Sequence, residues 1–258
     1  MRKNLIRILT LAAVVAVAVA GVAVASKPTV VRAGNLILTF NGDVVPKKLP
    51  KNTYAPIKLQ ASGKLATADG THPPAIKQVI LDFDKNGVIN AKGLPVCKSG
   101  QLQARDTESA KKACPTAIIG KGDTEVEVQF EDSSPFTAKG PLVLFNGGVK
   151  GGVTTMFVHA YVSVPTPTAI VTTVKVKKIN KGKFGYEAVA SVPTIAGGAG
   201  SAVSFSLTVD RKFTYKGKKQ SLLTAKCPTK HLYAHGVAAF SDGTRVAGDV
   251  VRACIQAG

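Results

Sequence analysis

The stretch Asp123–Phe130, DTEVEVQF, alternates without a break, with Val126, Val128 and Phe130 on one side and Glu125, Glu127 and Gln129 on the other. A period of two sends successive side chains to opposite faces of an extended chain, so this segment is a half-buried strand. Val203, Phe205, Leu207 and Val209 alternate in the same way with Ser204, Ser206, Thr208 and Asp210. Further strand-like runs are Asn35–Phe40, Ile57–Ala61, Lys64–Ala68, Ile76–Asp84, Val88–Ala91, Thr116–Ile119, Leu142–Asn146, Val153–Val164, Ala169–Ile179 and Phe184–Val192. Turn formers separate them at Ser62-Gly63, Lys85-Asn86-Gly87, Gly147-Gly148, Asn180–Lys183, Lys216-Gly217-Lys218 and Ser241-Asp242-Gly243. Of these, Asn86-Gly87 is the strongest hairpin signal, because it supplies the positive φ angles of a primed turn. The proline-bearing Val45–Pro56 reads as a loop or edge crossing. About fifteen short strands with such punctuation predict an all-β protein, an antiparallel β-sandwich of Ig-like or jelly-roll-like kind. Pro165-Thr166-Pro167 is the one place where two sandwiches could meet, and a single domain over residues 26–258 is the expectation.

One segment departs from this habit. Between Cys97 and Cys114 lies a run of helix formers in which Asp106 or Thr107 can cap a helix of about two turns. Glu108 falls at the positive end of its dipole, Lys111 and Lys112 fall at the negative end, and Pro115 stops it. A helix this short does not persist alone in water. The spacing matches no zinc or thioredoxin pattern, which leaves a disulfide staple. The four cysteines permit three pairings, of which Cys97–Cys114 with Cys227–Cys254 closes the shortest loops.

The start of the chain sets the expected compartment. Arg2, Lys3 and Arg7 precede an apolar run, Ile8–Ala25, that ends in Ala23-Val24-Ala25, the layout of a secretory signal over residues 1–25. Retention of this run as an uncleaved anchor is the alternative, and no comparable apolar run follows it. Paired cysteines fit the same exported, oxidising setting. Without Arg2, Lys3 and Arg7 the chain carries 31 basic and 15 acidic residues, a net charge of +16. Nearly all the cations are lysines, hydrated point charges suited to diffuse attraction and not to bidentate anion recognition. Two clusters stand out: Lys175, Lys177, Lys178, Lys181 and Lys183, then Arg211, Lys212, Lys216, Lys218 and Lys219. Both surround hairpins. Emerging at the same end of the fold, they would make a cationic rim for an anionic wall polymer or membrane surface; otherwise they guard sheet edges against mispairing. Nucleic acid is not an expected partner in this setting, and the oligomeric state is left open.

Motifs for chemistry are weak. Asp82, Asp84 and Asn86 match the first half of a calcium loop, but Gly93 stands where its bidentate Glu belongs and the flanks are strands. A hairpin braced by its own aspartates is the simpler reading. His231 and His235 lack the Glu of a metalloprotease helix and are too far apart on a strand for one ion. His159 reads as a packed core histidine and His72 as an exposed loop residue. No G-x-S-x-G elbow is present, and Glu125 and Glu127 read as solvated strand surface. Without Trp and with few Tyr, a sugar-stacking platform is poorly supplied. No catalytic residue and no cofactor are assigned.

The runs GLPVC (Gly93–Cys97), ACPTAIIGKG (Ala113–Gly122), LFNGG (Leu144–Gly148), LTAKCP (Leu223–Pro228) and FSDGT (Phe240–Thr244) resemble a group of exported bacterial proteins of unknown function. The resemblance spans about Pro28 to Cys254, rests on turns and cysteine contexts, and implies no activity, substrate or cofactor. The chain is thus expected to be an exported, non-catalytic binding or structural protein of the envelope or exterior. A secreted hydrolase on a β scaffold and a calcium-dependent adhesion-type module are the alternatives.

Overall fold

The computed structural model describes residues 28–163 and 166–257. The expected signal, residues 1–25, lies outside them, as do Val164 and, at the suspected division point, Pro165. The strands are β1 Thr29–Ala33, β2 Leu36–Val45, β3 Lys48–Pro50, β4 Ala55–Pro56, β5 Lys58–Thr67, β6 Ile76–Asp84, β7 Gly87–Ile89, β8 Ile118–Val128, β9 Phe136–Lys150 and β10 Val153–Val162. They continue as β11 Thr168–Lys181, β12 Phe184–Ser191, β13 Gly200–Val209, β14 Lys212–Tyr215, β15 Lys218–Ser221, β16 Leu223–Ala225, β17 His231–Phe240, β18 Arg245–Ala253 and β19 Ile255–Ala257. The α-helix α1, Thr107–Ala113, lies between β7 and β8.

The protein is all-β, built on one large antiparallel sheet. Twelve strands join in the order β1-β2-β5-β13-β8-β9-β10-β11-β12-β6-β17-β18. Its two outer strands approach each other: Thr29 Oγ1 on β1 donates to the Asp249 carbonyl on β18 at 3.1 Å, and Arg252 of β18 donates to the Gly42 carbonyl on β2. Leu36 and Leu65 from one end of the sheet order pack with Ala238, Phe240 and Val246 from the other. The sheet therefore curls until both ends share a core, which leaves little open edge for misassembly.

Strands β9 and β10 carry near-continuous apolar runs because both of their faces are covered. Leu142, Leu144, Met156 and Ala160 turn toward the enclosed core, while Val143, Phe145 and Phe157 meet Leu102, Ala110 and Ala117 from the α1 segment. That segment is held as the sequence predicts. Cys97 is bonded to Cys114 and Cys227 to Cys254, and Asp106 caps α1 by accepting from the Ser109 amide at 2.8 Å. Lys111 pairs with Glu108 at 2.8 Å along the same helix.

Several expected boundaries move. Ser62-Gly63 is no turn; β5 runs straight through it, with Gly63 opposite Phe205 on β13. A Cβ at Gly63 would fall 2.5 Å from the Phe205 ring, so this glycine is there to let an aromatic lie over the strand. Gly147-Gly148 also stays within a strand, at a register shift between β9 and β10, and the real turn is Gly151-Gly152 with φ of 57° and 77°. Thr116 and Ala117 form a 3₁₀ turn ahead of β8, and short strands β3 and β4 interrupt the loop expected over Val45–Pro56.

Candidate polyanion-binding pole

Antiparallel registers decide which turns meet. Val209↔Gly120, Ile118↔Phe145, Thr154↔Val176, Phe184↔Asp84, His231↔Ala253 and Val45↔Lys58 all mark one end of the sheet. At that end stand the β9–β10 and β11–β12 turns, the β6–β7 turn, the β14–β15 hairpin that follows β13, and the segments joining β2 to β5 and β16 to β17. Both predicted basic clusters therefore emerge at the same end. Contacts bind these turns together: the Lys85 amide donates to the Lys183 carbonyl at 3.0 Å, and the Lys226 amide donates to the Asn86 carbonyl at 3.0 Å.

The charges segregate accordingly. The turns and joining segments named above carry Lys47, Lys51, Lys85, Lys183, Arg211, Lys216, Lys226 and Lys230 against the carboxylate of Asp210. The longer β7–β8 connection, which starts and ends here too, adds Lys92, Lys98, Arg105, Lys111 and Lys112 against Asp106 and Glu108. The connections at the opposite end carry Asp69, Glu131, Asp132 and Asp242, and among the described residues there is no Lys or Arg in those turns. At that end the Asp69 carboxyl is held well below the ordinary carboxylate range by hydrogen bonds from the Asn35 side chain and then Thr71. The turns are thus basic at one pole and acidic at the other, with Arg32, Lys77, Lys139 and Arg245 on the strands beside the acidic turns.

Within the basic pole the predicted cations divide by neighbour. Lys177 pairs with Glu187 at 2.9 Å, and Lys181 reaches the buried Asp82 at 3.0 Å. Lys183 stands over the Tyr233 ring at 4.4 Å from its centroid and over Phe184 at 5.4 Å, and Lys216 lies 5.8 Å from Tyr215. Arg211 donates to the Thr116 carbonyl at 3.1 Å, tying the base of the β14–β15 hairpin to the start of β8. Lys175, Lys178, Lys212, Lys218 and Lys219 are exposed, with no carboxylate partner among the described residues. These free ammonium groups are the ones available to an anion.

Asp82, Asp84 and Asn86 sit at the same pole, engaged with their own surroundings. Asp84 Oδ1 accepts from the Asn86 amide and side chain, each at 2.8 Å, and Asp84 Oδ2 accepts from the Tyr233 amide at 3.0 Å. Asp82 gives one oxygen to Lys181 and keeps the other buried without a partner. The arrangement braces the turn and anchors β6 to β17. Among the described residues no cluster of three or more His, Cys, Asp or Glu forms a metal-sized group.

The remaining candidates scatter. His231 and His235 lie along β17, with His235 bonded to Asp249 at 3.0 Å on β18. His159 is fully buried, its Nε2 hydrogen-bonded to the Arg105 carbonyl at 3.0 Å. His72, expected to be exposed, is mostly covered because it bonds to Glu127 at 2.8 Å near the acidic pole. Glu125 is paired with Lys139 at 2.6 Å, and that hydrogen bond lowers its pKa. A groove of about 860 Å³ crosses the surface of β2, β5, β13, β8 and β9; its lining includes Ser62, Ser206, Lys111 and Asp123 and contains no His or Cys.

Sequence reasoning found the two lysine clusters but missed Lys85, Lys226 and Lys230 beside them, and the acidic pole altogether. Single lysines in separate turns give no local signal. Comparison with models of protein families, with curated proteins and with solved structures returned no match.

Proposed function

We propose that this is an exported, non-catalytic binding protein of the cell envelope or exterior, attached through its basic pole to anionic polymers or surfaces. The reading takes residues 26–258 as one domain, with the curled sheet serving as a sandwich-like scaffold for the turns. What carries it is the segregation of charge. A net positive chain can be uniformly basic, but here lysines gather at one end while the turns at the other are acidic. Such a field attracts and orients a polyanion at the basic end and repels it at the other. Free lysine ammonium groups without a shaped arginine clamp suit repeating phosphate or carboxylate charges more than one small ligand. The two disulfides are consistent with an oxidising extracytoplasmic location.

The test is binding of the chain from Ser26 to soluble polyphosphate and to isolated wall material across a salt series of about 0.05 to 0.5 M, over which screening shortens sharply. Replacing Lys178, Lys212, Lys218 and Lys219 by Gln should weaken binding and flatten its salt dependence. The same number of Lys→Gln changes placed away from the pole, with Lys64, Lys77 and Lys139 among them, should do much less. Binding indifferent to salt, or equally sensitive to both sets, would sink the reading.

A further inference from the structure

The basic pole is not only charged. Among the large apolar side chains that stand exposed, Ile255 (60%), Val96 (54%), Val149 (51%), Tyr54 and Val45 all sit at this end of the sheet. Ile255 pairs with Lys48 where β19 joins β3, close to the end of β2 that carries Val45. Val149 is the second-last residue of β9, and Val96 lies over Gly148 beside it. Tyr54 precedes β4 with the Lys226 ammonium 5.2 Å from its ring centroid. A soluble polyanion gives aliphatic side chains nothing to contact. A bilayer gives both kinds of group a place: aliphatic tips at the boundary of headgroups and acyl chains, lysines among anionic headgroups.

We infer that the basic pole docks on an anionic lipid bilayer, with the Ile255 and Val149 tips entering the headgroup layer and the lysine hairpins around them. This rests on the polyanion reading and adds insertion to it. The acidic pole, repelled by the same surface, fixes which way the molecule stands. Each lysine close to such a surface multiplies affinity by about fivefold.

The chain contains no Trp, so Val149→Trp, Ile255→Trp and Phe130→Trp each create a single fluorescent reporter, the last at the acidic pole. Each variant is mixed with vesicles of phosphatidylcholine alone, with vesicles containing an equal part of phosphatidylglycerol, and with soluble polyphosphate. With anionic vesicles the two basic-pole reporters should shift to the blue and be quenched by brominated acyl chains, while the Phe130→Trp variant stays unchanged. The Val149→Ser, Ile255→Ser double variant should bind anionic vesicles at least about tenfold more weakly, with polyphosphate binding intact. Binding to anionic vesicles without blue shift, or undiminished in the double variant, overturns the bilayer inference and leaves the polyanion reading standing. A blue shift equal on neutral vesicles overturns the role given to the anionic headgroups. Failure to bind any of the anions overturns both.

Discussion

Removing the Cys97–Cys114 bridge should cost about 3 kcal/mol, the chain-entropy value for cross-linking residues this far apart, and the damage should be local first. The bridge spans 17 residues and holds a segment with little else to hold it. Between Lys98 and Ala117 the sole large aliphatic or aromatic side chain is Leu102, which is fully buried; Ala110 and Ala117 add two small contacts. Burying one leucine contributes about 2 kcal/mol, whereas ordering a segment of this length costs on the order of 1.5 kcal/mol per residue. Helix α1 is too short to contribute much by itself. Without the bridge the segment should lift from β9 and β10 before the sheet unfolds, exposing Phe145 and Phe157. In the Cys97→Ala, Cys114→Ala variant, native-state hydrogen exchange should show the Ala110 and Ala117 amides losing protection, with core amides of β9 and β10 less affected. Binding of a hydrophobic dye should rise under native conditions. The Cys227–Cys254 bridge spans 27 residues, so its removal costs only about half a kcal/mol more on entropy alone. A denaturation midpoint nearly unchanged in the first variant, with Ala110 still protected, would refute the reasoning and show that packing suffices.

Two further outcomes follow from buried geometry. Burial lowers the pKa of His159, whose Nε2–H donates to Arg105 and whose Nδ1 has no partner. The unfolded chain takes up that proton near the ordinary value of 6.5 and the folded chain resists it, so stability is full above that pH and falls below it. The slope is at most about 1.4 kcal/mol per pH unit; urea midpoints measured between about pH 7.5 and 5 should fall less steeply for His159→Gln than for the parent, and equal slopes would remove His159 as the source. Gly122→Ala would place a Cβ 1.8 Å from the Ser206 carbonyl oxygen, whereas Gly42→Ala meets nothing within 4 Å. The first should destabilise by about 1–3 kcal/mol and the second should be neutral or slightly stabilising, a contrast readable in thermal melts.

Much of the β architecture is legible in the residues themselves, because alternation is a local signal. Asp123–Val128 and Val203–Val209 lie in strands where the period of two says so. The stapled helix is legible for the same reason, with Asp106, Glu108 and Pro115 all within one short window. Asn86-Gly87 misleads: the chain turns at Lys85-Asn86 without positive φ at Asn86 or Gly87, and β7 leaves the large sheet to pair with β16 instead of forming a hairpin with β6. Glycines mislead where they serve a distant partner. Gly63 looks like a turn and is a seat for Phe205, more than a hundred positions away. His72 looks exposed and is covered by Glu127 across the sheet. Curling of the sheet until β18 meets β1 has no local signature at all.

The two poles were written in the sequence in a form that needs topology to decode. In an antiparallel meander successive connections alternate between the two ends, so turns with basic and acidic residues taken in alternation along the chain become separate poles in space. From β8 to β12 the alternation is plain: the β8–β9 connection carries Glu131 and Asp132, the β9–β10 turn follows Lys150, and the β11–β12 turn is flanked by Lys181 and Lys183. Decoding demands the right strand count, because one false turn shifts every later connection to the wrong end. Reading Ser62-Gly63 as a turn does this: Asp69, Lys85 and every later connection would change ends together, which would set Lys47 and Lys51 among the acidic turns and part them from the other lysine turns. With β5 continuous, each connection falls at the pole its charge suggests, and the basic one brings the lysine turns beside Val149 and Ile255. Lys47 and Lys51 join that surface only once the glycine at position 63 is understood as part of a strand.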